Sequence, residues 1–203
     1  MEHVTNLIQL RGTLYDLPVF SHENHGKRFW RFFLDVPRLS GTSDILPVIC
    51  EERVLNDADL ARGNGFFIRG QIRSHNIRTS GKRHLLIFVY AQSLLCEDGP
   101  PCNDVIVEGP ICRQPTYRRT PLGREICDVM LAVPRAFNRA DYLPCILWGR
   151  TANEASQCQI RDVIRICGRL QSRTYTKLTE NGCEERTAYE ISALTADIPS
   201  DMY

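Results

Sequence analysis

The sequence predicts an all-β protein: two tandem five-stranded barrels, each with one short helix between strands 3 and 4. Three observations predict it. The chain repeats itself, each copy breaks into five short strands with glycines inside them, and a helix start signal follows the third strand of each copy.

The repeat appears when the chain is shifted by 97 positions, which lays Asn6 on Asn103 (103 − 6 = 97). From residue 6 to residue 50, twelve of 45 positions are then identical without a gap. They are Asn6/Asn103, Gly12/Gly109, Pro18/Pro115, Gly26/Gly123, Leu34/Leu131, Val36/Val133, Pro37/Pro134, Arg38/Arg135, Asp44/Asp141, Leu46/Leu143, Pro47/Pro144 and Ile49/Ile146. Chance would give roughly three at ordinary residue frequencies. One inserted residue later, Gly70 falls on Gly168 and Ser74 on Ser172; a longer second hairpin then sets Gly182 against Gly81. Two repeats of this length are two small domains, 1–96 and 103–203, rather than a solenoid. The turn-rich stretch 96–102 joins them.

In copy one, residues 4–14 alternate apolar and polar side chains and break at Gly12, a place for a bulge or bend. Residues 15–27 read as loop, 29–36 as an apolar strand closed by Pro37, and 45–50 as the third strand. Residues 56–62 read as a short helix, capped by Asn56 and stopped by Gly63. Strand four is 66–77 with Gly70 inside it, and a turn at 79–82 leads to strand five, 85–94. Copy two has strands at 104–112, 126–133, 142–148, 163–175 and 187–194, with a helix near 151–158. In its third strand Leu143, Cys145 and Leu147 point one way, with Tyr142 and Trp148 on the other face. Gly149 ends that strand, and Thr151 with Glu154 forms a capping box. Five strands with a helix at that point follow the order of an OB-fold.

The chain has 203 residues, of which 43% are hydrophobic, enough for real cores. Net charge is +1, but the basic residues are 22 Arg against three Lys (Lys27, Lys82 and Lys177). Arginine stacks and forks onto phosphates and bases as lysine does not; a GC-rich genome accounts for the bias equally well. Nine scattered cysteines without a Cys-x-x-Cys suggest thiols in a reducing cytoplasm, several of them buried at apolar strand positions such as Cys145 and Cys167. They suggest neither a disulfide frame nor a zinc site, and no cofactor is expected. The first residues, 1–4, do not read as a signal peptide, and no apolar run reaches membrane-span length.

No enzyme is expected. The five histidines (His3, His22, His25, His75, His84) all lie in copy one, none beside a nucleophile in a motif. Glu51-Glu52 and Glu184-Glu185 read as solvated charge. Binding of a single strand instead needs a basic groove and exposed rings, each stacked base contributing about 1–3 kcal/mol. Copy two offers Phe137, Tyr142, Trp148 and Tyr175 at strand ends or loop edges. Among them are Arg118, Arg119, Arg124, Arg135, Arg139, Arg150, Arg169, Arg173 and Lys177. Any one of these rings alone reads as core packing; four together beside charged residues do not. The loop 114–124, fixed by two prolines and a glycine, presents Arg118 and Arg119.

On these residues copy two resembles the bacterial single-stranded DNA-binding proteins over nearly all of 103–197. The matching pieces are 103–109, 115–118, 120–123, 131–133 followed by Phe137, 146–150, and 166–170 followed by Arg173 and Tyr175. The resemblance implies an OB-fold that binds single-stranded DNA without sequence preference, with four barrels acting together, hence a homodimer of this two-copy chain. It places the family's stacking rings at Phe137, Tyr142, Trp148 and Tyr175 and its backbone contacts at Arg118, Arg150 and Arg173. In copy one the ring positions fall on Ser40, Ile45, Glu51 and Ile77, and Ser21 stands at the place of Arg118. That copy is expected to contribute through Arg28, Arg31, Arg69, Arg73, Arg78, Lys82 and Arg83, or to supply the interface, with Trp30 in its core. Replication or repair proteins are implied partners, although residues 197–203 do not read as the family's acidic-tipped tail. Two rival readings stand beside this one: an accessory OB protein acting through protein contacts, and an RNA-binding OB module.

Overall fold

A computed structural model describes residues 4–55, 60–79, 82–179 and 182–198, with the side chains of residues 79, 82, 83 and 177–179 outside the description. The expected cap Asn56, the turn glycine Gly81, the segment 199–203 and the side chains of Lys82, Arg83 and Lys177 therefore lie outside the described residues. The described chain is mostly β-sheet. The first half holds β1 (Asn6–Leu14), β2 (Val19–Asn24), β3 (Lys27–Pro37), β4 (Ser43–Glu51), β5 (Gly65–Thr79) and β6 (Lys82–Cys96). The second holds β7 (Cys102–Pro110), β8 (Thr116–Arg119), β9 (Glu125–Arg135), β10 (Arg139–Trp148), α1 (Gly149–Ser156), β11 (Val163–Thr179) and β12 (Gly182–Asp197).

Each half pairs its strands in the same way. In the first, β1 pairs β5, β5 pairs β6, β6 runs parallel to β4, β4 pairs β3, and β3 returns to β1 through Thr13↔Asp35 and Leu14↔Leu34. In the second, β7, β11, β12, β10 and β9 follow the same order, and a bridge Ile111↔Leu131 brings β9 back toward the end of β7. The return needs a strand that passes close to its neighbour at one point. A Cβ on Gly12 would run into the Asp35 carbonyl oxygen, and one on Gly109 would meet the Ala132 oxygen at 2.7 Å. Asp35 and Ala132 are themselves repeat equivalents, so both glycines are kept for one approach.

Four expectations are corrected. Residues 15–27 contain a strand, β2, and 114–124 contain another, β8, each folded back on the next strand as a hairpin. The helix expected at 56–62 falls mostly on residues 56–59, which lie outside the described residues; beside them stand a 3-10 turn at Glu52–Val54 and no helix at residues 60–62. The capping box does not form: α1 starts at Gly149 without a side-chain cap, and the Thr151 hydroxyl donates back to the Trp148 carbonyl at 2.8 Å. Trp30 is half-buried rather than fully in the core, and its indole N–H donates to Glu52 at 3.2 Å.

The halves join edge to edge through β1 and β7, antiparallel, with Ile8 opposite Val105. These two are repeat equivalents (8 + 97 = 105), so a pseudo-twofold axis passes between them. Asn6↔Val107 and Leu10↔Asn103 are then the same pairing seen from either side. Beyond the end of the β1–β5 ladder, the Asn6 side chain closes both backbone bonds of Ile72 (2.8 and 2.9 Å); Asn103 does the same for Leu170.

Two buried polar clamps complete the joint. Asp44, fully buried, accepts from Arg38 (2.7 and 2.5 Å) and from the backbone N–H (2.6 Å) and hydroxyl (3.0 Å) of Ser172 in the other half. Asp141, equally buried, accepts from Arg135 (3.3 Å), Arg73 (3.1 Å) and the Ser74 N–H (2.7 Å). Burial by itself raises the Asp44 pKa, but hydrogen bonds from Arg38 and Ser172 outweigh it and hold the carboxyl below its ordinary range. Arg38/Arg135, Asp44/Asp141 and Ser74/Ser172 are repeat identities, and this reciprocal contact uses all of them.

Candidate nucleic-acid interface

The outer face of the second half is set by β10. Leu143, Cys145 and Leu147 point into the core, which turns Tyr142, Pro144 and Trp148 outward. Tyr142 and Trp148 are six residues apart, roughly 20 Å at about 3.4 Å per residue. Tyr142 is anchored at the joint, its N–H donating to the Ser74 hydroxyl at 2.7 Å. The Trp148 indole N–H donates to Ser192 at 3.0 Å, which fixes the ring's tilt. Phe137 stands at the tip of the β9–β10 turn, where Phe137 and Asn138 both have positive φ (60° and 53°). The exposures of Phe137, Tyr142, Trp148 and Tyr175 are 93, 43, 36 and 38%, so none is a core ring.

The structure does not gather the four rings in one pocket, and Tyr142 lines neither the Trp148 cavity nor the Tyr175 groove. Trp148 lines a cavity of about 480 Å3 with Arg38, Arg124, Arg169 and Ser192. Arg124 and Arg169 were expected there; Arg38 was not, and it reaches in from the first half. Its only sequence signal was its identity with Arg135. Tyr175 lines a larger groove of about 660 Å3 that draws on both halves, with Arg31, Phe33, Met130, Pro144 and Arg186. The Arg173 guanidinium lies over the Tyr175 ring, 5.6 Å from its centre. Phe137 stands apart on its turn.

Several expected arginines are already paired within the chain. Arg118 grips Asp128 with two bonds (2.6 and 3.2 Å), Arg119 holds Glu125 (2.9 Å), Arg150 holds Glu154 (3.4 Å) and Arg173 faces Glu190 (3.5 Å). The first three are exposed pairs, worth about 0.2–1 kcal/mol each, so exchange for a phosphate is cheap; the Glu190 carboxylate that faces Arg173 is buried. Among the described residues Arg124 and Arg169 form no ion pair. In the first half Arg28 pairs with Glu52 (2.8 Å), Arg73 with Asp141, and Arg78 is exposed. Glu51 is half-buried, paired with Lys27 (3.1 Å) and Arg53 (3.2 Å).

Among the described residues no group of three or more His, Cys, Asp or Glu could hold a metal ion. No cysteine is in a disulfide; Cys50, Cys127, Cys145 and Cys158 are buried, Cys167 is partly so, and Cys96 and Cys183 are exposed. Burial pushes the Cys50 thiol up to about 12 and the Cys145 thiol up as well, so neither is a thiolate at neutral pH. No helix among the described residues is long and apolar enough to cross a membrane.

A β-protein of OB-like fold with this outer face has close counterparts. The model of the single-strand binding protein family matches residues 102–198. The single-stranded DNA-binding protein B of Bacillus subtilis (strain 168) is 38% identical over 80 residues, which cover 36% of this chain and 71% of the relative. The single-stranded DNA-binding protein of Oceanobacillus iheyensis is 29% identical over 102 residues, covering 47% of this chain and 60% of the relative. The chain belongs to the single-strand binding protein family. Its likeness to a solved structure spans both halves. The wild-type single-stranded DNA binding protein from Thermus aquaticus matches 96% of this chain and 93% of its own, with a TM-score of 0.77. At 23% identity that match speaks for the fold.

Proposed function

We propose that the protein binds single-stranded DNA without sequence preference, in replication, recombination or repair. The rings Phe137, Tyr142, Trp148 and Tyr175 stack bases, and Arg118, Arg119, Arg124, Arg150, Arg169, Arg173 and Lys177 meet phosphates. The observation that carries the reading is the Trp148 cavity, where a fixed indole stands among Arg38, Arg124 and Arg169. A ring for the base beside cations for the backbone is the combination a single strand needs. Relatives named as single-stranded DNA-binding proteins support the same ligand. Binding, rather than catalysis, is the whole activity in this reading, and the cytoplasm is its place.

We further read residues 1–96 and 103–203 as two five-stranded OB-fold barrels, supported by the matching strand pairings of the halves. Two chains then set four barrels together. The apolar part of the larger groove, with Phe33, Pro47, Leu86 and Met130, supports such a homodimer. Sedimentation at micromolar concentration is expected to give twice the chain mass.

The test is the affinity for an oligo-dT strand at low and at moderate salt, with matched RNA as competitor. Phosphate contacts release counterions, so log affinity should fall linearly with log salt, by about 0.7 per phosphate neutralised. No binding at low salt would favour the accessory reading, and preference for the RNA competitor would favour the RNA module.

A further inference from the structure

The first half lacks a ring at every position where the second half is expected to stack bases. Its own outer face is nevertheless aromatic. The pseudo-twofold that carries the Trp148 cavity onto the first half brings it to a second cavity, of about 300 Å3, lined by His22, Phe29, Phe88, Tyr90, Arg73 and Arg135. Three lining positions correspond. Arg135 stands where Arg38 stands in the other cavity, Arg73 answers Gln171, and Tyr90 answers Ser192. The ring has moved, and Lys27 and Gln71, which answer Arg124 and Arg169, do not line the second cavity. The Trp148 position is Glu51, turned to Lys27 and Arg53, while Tyr90 takes the Ser192 position and Phe29 the Ile126 position.

The lining is suited to a base and its phosphate. His22 and Phe29 are stacked across the β2–β3 hairpin with ring centres 4.7 Å apart and planes 6° from parallel. Tyr90 lies 6.5 Å from Phe29, and Arg73 lies over the Tyr90 ring at 5.7 Å. Among the described residues no acidic side chain lines this cavity. Arg73 and Arg135, again among the described residues, share a single carboxylate, Asp141, which leaves one positive charge over at the cavity wall. Flat rings with surplus positive charge fit stacked bases of an anionic strand, where an apolar protein surface would leave that charge unpaired.

We infer that the first half carries a base-stacking patch of its own, formed by His22, Phe29 and Tyr90 with Arg73 and Arg135, at positions different from those of the second half. The inference rests on the single-strand reading above. A strand long enough to cross the joint is then held on both halves.

The test uses the full chain and an oligo-dT in which some bases are 5-iodouracil, a photo-cross-linker that couples to stacked rings. The expected result is cross-linking to peptides carrying Phe29 or Tyr90 as well as to the one carrying Trp148. Cross-links confined to the second half overturn the second patch and leave the proposed function standing. Cross-links confined to the first half support the patch and remove the second-half site. None in either half removes both. A Phe29→Ala, Tyr90→Leu chain should bind a long oligo-dT about tenfold or more weakly. Its quenching of Trp148 by a short oligo should be unchanged, which also shows that the variant is folded. Phe20 is on the opposite face of the same hairpin, beneath Arg28. Phe20→Ala should leave long-strand affinity as it is, and an equal loss there would overturn the assignment.

Discussion

At the scale of single residues, Asp44 and Trp148 do different work, and each has its own test. Asp44 is a buried carboxylate whose partners sit on both halves. Asp44→Ala strands the Ser172 N–H and frees Arg38 from its partner, and is expected to cost about 2–3 kcal/mol of folding stability in a urea titration. Its pH dependence has a definite sign. The folded pKa lies below the unfolded value, so the carboxyl stabilises the fold above its ordinary titration range and ceases to as pH falls through the folded pKa. Stability measured from pH 6 down to pH 2 should therefore fall less steeply in Asp44→Asn than in the parent chain. Trp148 is bound to the fold by one hydrogen bond and stands half open. Trp148→Ala is expected to weaken oligo-dT binding by about 1–3 kcal/mol without changing the far-ultraviolet spectrum. Unchanged affinity in a clean titration would remove Trp148 from the site.

At the scale of elements, the glycines separate packing from backbone. Gly70 and Gly168 lie at β-bulges where a Cβ would run into the carbonyl oxygens of Tyr90 and Ser192. Gly70→Ala or Gly168→Ala should cost about 1–3 kcal/mol from overpacking, read as a shift of the urea midpoint. Gly26 has open space around it but a φ of +72°, so Gly26→Ala should cost only about 1–2 kcal/mol, from the left-handed backbone alone. These glycines were legible in the sequence as strand interruptions and turn punctuation, because a close approach or a positive φ leaves few other residues available. Strands β2 and β8 were not legible. Val19–Asn24 is exposed at all but one position and Thr116–Arg119 at all four, so neither has a buried stripe for periodicity to reveal. Thr151 and Glu154 had the spacing of a capping box, but α1 starts two residues earlier, at Gly149, which leaves Thr151 inside it.

At the scale of the whole molecule, the repeat was readable from one shift of the chain, while the contact between the halves was not. Asp44 and Ser172 are 128 residues apart, and nothing local marks them as partners. Their identity with Asp141 and Ser74 was visible; the reciprocal clamp that explains it needed the fold. Likewise Ile45 and Glu51 stand at the repeat positions of Tyr142 and Trp148, but Phe29 and Tyr90 lay outside the ring positions being compared. Because one joint holds both halves, urea unfolding should be a single transition by tryptophan fluorescence and by circular dichroism. Asp44→Ala should move both signals together; two separated transitions would mean that the joint does not couple the halves. The most direct test of the central claim, a ring platform on the second half that receives bases, is the fluorescence of the two tryptophans on titration with oligo-dT. Saturable quenching is expected, kept in a Trp30→Phe chain and lost in a Trp148→Phe chain. Quenching absent at low salt, or surviving intact in Trp148→Phe, would contradict it.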